Sequence, residues 1–268
     1  MIETAYAKIN LALHIRGRRA DGYHELETLF AFVDAGDVLS VAPASRDTLR
    51  TLGEFGGQLA DLFDNIVMQA LTALPRPQGW AVTLDKGLPV AAGLGGGSAD
   101  AGAVFRLVER EYDLPDDWPA RAARLGADVP ACVASQTCIG RGIGTDLEPG
   151  PQDLTDTPVL LVNPRLPLST GPVFKGWDGI DRGGLTEGTA REIALVGRND
   201  LEASAIALCP EIGAVLASLR NSNAWLVRMS GSGATCFALF EKVAARDAAA
   251  RAIAVAQPGW WQMSGQLR

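Results

Sequence analysis

Four glycines fall within five positions of the stretch Pro89-Val90-Ala91-Ala92-Gly93-Leu94-Gly95-Gly96-Gly97-Ser98-Ala99-Asp100-Ala101. Glycine has no Cβ, so backbone N–H groups there can close around an anion. An apolar helical run from Ala103 to Val108 follows. Ser98 is placed to cap that helix and turn the positive end of its dipole toward the loop. This geometry holds phosphates. The competing reading is a tight glycine turn with no ligand. No Gly-Lys-Ser/Thr follows the glycines, which excludes a Walker A loop, and the Rossmann spacing fails at Ser98.

Other residues able to do chemistry are scattered. Ile9, Leu11, Leu13 and Ile15 alternate with Lys8, Asn10, Ala12, His14 and Arg16, which predicts a half-buried strand over residues 5–16. On pattern alone Lys8 reads as a solvated charge beside Asn10. Ala20-Asp21-Gly22 supplies a hairpin turn, and Tyr23-His24 at its exit reads as rim packing. Asp128, inside Gly126-Ala127-Asp128-Val129-Pro130, reads as an ordinary cap or turn carboxylate. A second glycine turn, Ser230-Gly231-Ser232-Gly233-Ala234, is either a hairpin or a loop packed on the first. Together these suit phosphoryl transfer, which asks for a cradle, cations and a group that orients a hydroxyl.

The elements that must carry them follow from periodicity. Short strands are expected at Asp37–Val41, Asp47–Leu52 and Trp80–Leu84, and a helix capped by Asp64-Asn65 and stopped by Pro75. After the glycine loop come its helix to about Tyr112, a helix at Trp118–Leu125 and a strand at Val133–Ile139. GRGIG at 140–144 reads as flexible, 145–157 as a crossing between domains, and 176–198 as a mobile surface segment. Strands are expected at Pro158–Asn163, Trp225–Met229 and Thr235–Phe240, with helices starting at Ser169 and over 200–208, 211–219 and 242–255. Alternating strands and helices predict an α+β protein.

The chain has 268 residues, of which 47% are hydrophobic and 21% charged, enough to bury a large core in one or two domains. A net charge of −7 argues against a nucleic-acid partner. No stretch is long and apolar enough for a membrane span, and Met1-Ile2-Glu3 does not begin a signal peptide. Cys132, Cys138, Cys209 and Cys236 form no CxxC pair, so reduced thiols in a cytoplasmic protein are expected.

Five segments in order carry a resemblance that spans essentially the whole chain: Ala7-Lys8-Ile9-Asn10-Leu11, Arg19-Ala20-Asp21-Gly22-Tyr23-His24, Pro89 to Ala101, Gly126 to Pro130, and Ser230 to Ala234. The sequence resembles the galactokinase, homoserine kinase, mevalonate kinase and phosphomevalonate kinase (GHMP) superfamily. Its RADGYH segment is similar to the branch that acts on cytidine diphosphate methylerythritol in non-mevalonate isoprenoid biosynthesis. The resemblance implies a two-domain α+β fold with the active site in the inter-domain cleft. It implies an ATP-binding part over 1–150 and a substrate-binding part over 151–268.

It further implies that ATP, with Mg²⁺, phosphorylates the 2-hydroxyl of that small-molecule substrate. Asp128 would be the base and Lys8 the stabiliser of the reacting charge, with Asn10 holding substrate nearby. Gly93, Leu94, Gly95, Gly96, Gly97 and Ser98 would wrap the ATP phosphates, with Pro89, Val90, Ala91, Ala92 and Asn65 alongside the nucleotide. Tyr23 and Phe174 would sandwich the cytosine, His24 would bond its edge, and Thr170 would be a weaker contact. Many superfamily relatives carry two serines after Gly-Leu-Gly, where this chain has Gly96-Gly97 and then Ser98. That leaves the Mg²⁺ between a Ser98 ligand and a shell of phosphates and water. The alternatives are a kinase for another small alcohol, such as homoserine or mevalonate, and a nucleotide-binding regulator without catalysis.

Overall fold

The computed structural model describes residues 1–59 and 65–268. Two compact units share the chain: Met1–Lys8, Ala35–Val90 and Gly95–Ser135 form the first, and Ile9–Asp34, Ala91–Leu94 and Gln136–Arg268 the second. The units therefore interleave along the sequence. Helices and strands are mixed in both, as an α+β protein requires.

Two long strands open the chain. β1 runs Ile2–Arg18 and pairs with β2, His24–Ala44. The expected separate strand at Asp37–Val41 is the far end of β2, because nothing in the sequence between breaks the ladder. Gly36 lies within β2, where a Cβ would fall 1.9 Å from the Ala5 carbonyl oxygen, so only glycine lets the strands approach there. β1 is also not half-buried. Lys8, Asn10 and His14 are as enclosed as Ile9 and Leu11, since each finds polar partners inside.

In the first unit, β4 (Gly79–Asp85) lies antiparallel to β2, with Val41 opposite Val82, and parallel to β3 (Thr48–Leu52). α1 (Ile66–Ala73) buries Val67, Ala70 and Leu71, and the Asn65 carbonyl side chain accepts from the Val67 amide, which caps it. Asp64, the other expected cap, is outside the described residues. α2 (Gly96–Tyr112), α3 (Trp118–Leu125) and α4 (Val129–Ala134) complete the unit. A Cβ on Gly102 would sit 2.5 Å from the Cys132 carbonyl oxygen, so α2 and α4 pack backbone to backbone. The expected strand at Val133–Ile139 is thus displaced: Val129-Pro130 opens a helix, for which proline in the first turn is preformed. Ser135 ends it in the left-handed region at φ 47°.

In the second unit, β5 (Cys138–Gly142) pairs antiparallel with β2, Phe30 opposite Cys138, and turns back into β6 (Asp146–Pro149). GRGIG is therefore the end of a hairpin, Gly142 and Gly144 supplying its positive φ angles. A separate antiparallel sheet has the order β10-β7-β9-β8, from β7 (Pro158–Asn163), β8 (Leu226–Met229), β9 (Cys236–Leu239) and β10 (Trp261–Gln266). β10 begins at the tryptophan pair where no strand was expected. Every residue of β7 is buried.

α5 (Thr170–Lys175), α6 (Ala190–Val196), α7 (Glu202–Leu208), α8 (Glu211–Arg220) and α9 (Val243–Ala256) complete the unit. Leu160, Val162, Ile212, Val215 and Phe240 share one core cluster. The segment 176–198 is anchored, contrary to expectation. Trp177 is buried, Leu185 N–H donates to Glu27, and Thr189 with Glu192 forms a capping box.

Candidate active site

In the first unit, α2 starts from Gly95, which caps it at φ +61°. Ser98 is consequently the third helical residue and not the cap. A left-handed residue at the entry is easiest for glycine, and its missing Cβ has a second use. A Cβ on Gly95 would stand 3.0 Å from Lys8 Cε, so the bare backbone gives the lysine its route. The amides of Gly96, Gly97 and Ser98 head the helix, while Ala99 N–H already donates to the Gly95 carbonyl at 2.7 Å.

Lys8 Nζ reaches Asp128 Oδ2 at 3.3 Å. Asp128 holds the cap position of α4, yet its carboxylate makes no capping bond to that helix. It is free to face the ammonium. Local pattern reads Lys8 as a solvated charge and Asp128 as a cap or turn carboxylate, whereas the fold brings them together with Lys8 buried and Asp128 about one-third exposed (side chains 4% and 35%).

Behind the loop lies a group that the sequence reading missed. Lys86 Nζ donates to Asp37 at 2.5 Å and to Asp100 at 2.6 Å, all three buried. Asp37 Oδ1 also accepts from the Gly87 and Leu88 amides at 2.8 and 2.7 Å. β2, the residue after β4 and α2 are thus tied under Gly96, whose Cβ position is 3.2 Å from Lys86 Nζ. Burial pushes the Asp100 carboxyl up to about 8 against the pull of Lys86. Burial alone would lower Lys86, but its two carboxylates hold it above its usual value. The available signal was a lysine at the strand end immediately before a glycine loop.

In the second unit, the two glycine turns meet. Ser230 Oγ donates to the Gly93 carbonyl at 2.7 Å, and Thr235 N–H donates to the Ala92 carbonyl at 3.1 Å. A Cβ on Gly93 would fall 2.3 Å from the Ser230 carbonyl oxygen. The second turn is therefore a packing partner for the first, held in turn by Asn199, whose amide donates to Met229 and Gly231 at 2.8 Å. Asn10 donates from its backbone to Ser230 Oγ and from its side chain to Thr28. Thr170 Oγ1 and Ser232 Oγ share a 3.1 Å bond.

The expected aromatic group is assembled in part. His24 lies against Phe174, ring centroids 5.2 Å apart, and meets Trp177 edge-on at 5.7 Å. Tyr23 stands 62% exposed. His24 Nε2 is enclosed without a hydrogen-bond partner. Burial and the Arg18 charge hold the imidazole below its ordinary pKa. A cavity of about 550 Å³ in this unit is lined by Trp177, Arg182, Arg198, Arg220 and Arg228 among others, and by none of the predicted site residues.

Residues 65–136 match the family model described as GHMP kinases N terminal domain, and residues 185–256 that described as GHMP kinases C terminal. The chain belongs to the GHMP kinase family. This GHMP kinase is an ATP-dependent kinase. It is 70% identical to the 4-diphosphocytidyl-2-C-methyl-D-erythritol kinase of Novosphingobium aromaticivorans over 99% of the chain and 92% of that relative. It is 62% identical to the enzyme so named in Erythrobacter litoralis, over 99% of each. The crystal structure of a 4-(cytidine 5'-diphospho)-2C-methyl-D-erythritol kinase superposes with a TM-score of 0.84 at 34% identity, covering 100% of this chain and 99% of that one. Among the described residues of this GHMP kinase, no helix is long and apolar enough to cross a membrane.

Proposed function

We propose that this GHMP kinase transfers the γ-phosphoryl group of ATP to the 2-hydroxyl of 4-diphosphocytidyl-2-C-methyl-D-erythritol, a step of non-mevalonate isoprenoid precursor synthesis. The observation that carries the chemistry is the Lys8–Asp128 pair beside the glycine-led start of α2. Asp128 takes the hydroxyl proton as the substrate oxygen bonds to the γ-phosphorus and the bond to the ADP oxygen breaks. Lys8 offsets the charge spread over the transferring group. Residues 93–98 hold the phosphates, and Pro89, Val90, Ala91, Ala92 and Asn65 flank the nucleotide. ATP binding is assigned to residues 1–150, and 151–268 contribute Thr170 and Phe174 to the substrate. Asn10 steadies the substrate near the reacting group.

Tyr23 and Phe174 enclose the cytosine while His24 bonds its edge. The exposed Tyr23 ring and the unpartnered His24 Nε2 support this assignment, since a ligand would cover the one and satisfy the other.

Among the described residues no cluster of three or more His, Cys, Asp or Glu could hold a metal. That fits Mg²⁺, which needs few protein ligands when phosphates and water supply the rest. Ser98 is the nearest candidate: its Oγ lies 3.8 Å from the Cβ position of Gly126, on the turn leading to Asp128. The ion, when bound, neutralises charge on the phosphates. The four cysteines are all buried and none lies in a disulfide, which supports a reducing compartment, so we place the reaction in the cytoplasm.

The test is a kinase assay with ATP on the purified protein, comparing the cytidylated substrate with homoserine and mevalonate. Turnover confined to the cytidylated substrate, with ³¹P NMR showing phosphate on the 2-oxygen, is expected. Faster turnover of another alcohol would overturn the substrate reading, and ATP binding without any turnover would overturn the enzyme.

A further inference from the structure

His24 follows the Asp21-Gly22 turn, and its ring is boxed on two sides. Phe174 lies tilted across it at 45°, while Trp177 stands at 83° to it, the T-shaped arrangement that aromatic quadrupoles favour. Such an edge contact restricts rotation of the imidazole about its last torsion. Trp177 is itself fastened from outside. Arg18 Nη2 donates to the Trp177 carbonyl at 2.7 Å and to the Lys175 carbonyl at 3.2 Å. The Arg18 guanidinium carbon also stands 5.9 Å from the Trp177 ring centroid, within cation–π range. One exposed arginine thus closes the end of α5 over the aromatic box, and all these residues belong to the second unit.

We propose that Arg18 and Trp177 are positioning residues that fix the His24 ring so that Nε2 presents itself to the pyrimidine edge of the substrate. This rests on the reading of His24 given above and adds the part of the chain that enforces base selection. A neutral imidazole that accepts at Nε2 suits the exocyclic amino group of cytosine and is repelled by the carbonyl that uracil carries there. An imidazolium donates only and loses that distinction. The charged groups around His24 divide clearly. Asp21 and Glu25 are bonded to Arg19, Asp178 is bonded to Arg182, and Lys175 lies on α5. Arg18 is the one whose charge acts on the ring, and with burial it favours the neutral form.

The experiment uses the full chain and the variants Arg18→Gln, Trp177→Phe and His24→Phe. It measures kcat and KM for ATP, for the cytidylated substrate and for its uridine analogue. It also follows the His24 titration by NMR, assigned against His14 because the chain has two histidines. Arg18→Gln and Trp177→Phe are expected to raise KM for the cytidylated substrate about threefold to tenfold, the scale of one aromatic contact, and to narrow its advantage over the uridine analogue. KM for ATP and kcat should hold, and Arg18→Gln should move the His24 midpoint upward.

If His24→Phe loses base preference while the other two keep it, the positioning role is overturned and the His24 reading stands. If His24→Phe itself keeps wild-type KM and preference, both are overturned. Should Trp177→Phe disturb folding by circular dichroism, the exposed Arg18→Gln decides alone.

Discussion

The Lys8 ammonium lies 3.3 Å from the Asp128 carboxylate, although one residue comes from the first strand and the other from the turn before α4. The pair is asymmetric, with a buried cation and a carboxylate partly open to solvent. That asymmetry suits a lysine that stays in place and a base that must reach an incoming hydroxyl.

Asp128→Asn keeps the shape of the site and removes the proton acceptor. Both substrates should bind with nearly unchanged KM while kcat falls by about 10²-fold or more. Steady-state kinetics with each substrate varied in turn check this, and near-wild-type kcat would remove Asp128 from the chemistry.

Gly95→Ala should be harmful for two separable reasons. The φ of +61° costs an L-residue about 1–2 kcal/mol, and the new methyl would press on Lys8 Cε at 3.0 Å. Displacing the ammonium should lower kcat by about tenfold or more beyond any stability loss. Gly57→Ala, where nothing lies within 4 Å, is the control for both melting temperature and kcat.

Tyr23→Ala removes an exposed ring that packing does not require. Binding of the cytidylated substrate should weaken by about 1–3 kcal/mol, the usual worth of one base stack, with ATP affinity unchanged. Isothermal titration with each ligand separates the two, and equal losses would show the pockets are misassigned.

Asp100 makes stability depend on pH in an unusual direction. Its carboxyl sits at about 8 in the folded chain against an ordinary 3.8. Between those values the folded state holds a proton that the unfolded state has released, so this group's contribution is full below about pH 4 and declines as pH rises toward 8. Asp100→Asn keeps a neutral side chain at every pH. The wild type should therefore lose ground to this variant as pH rises from 5 to 8, as read from urea midpoints. A difference that does not vary with pH would mean Asp100 is ionised throughout.

Local signals were the readable ones. The glycine run, the Asp21-Gly22 turn and the Asn65 cap are each written within a few residues, and each is where the sequence places it. The role of Ser98 was misread because left-handed Gly95 takes the cap position itself. Lys8, Asn10 and His14 looked like a wet strand face because their partners come from distant segments: Asp128, Thr28, and the residues at 183 and 198. The same holds for Lys86, Asp37 and Asp100, which no window of sequence contains together. The segment 176–198 reads as loose by composition, yet Trp177 and the Thr189–Glu192 box secure it.

The buried Lys86 also has a practical side. Its amine is shut between the Asp37 and Asp100 side chains, out of reach of any acylating reagent while the first unit is closed. Appearance of a mass tag on that amine would therefore clock how often this part of the chain opens. Ligands that slow the tagging would reveal themselves by protection, with no need for turnover to be measured.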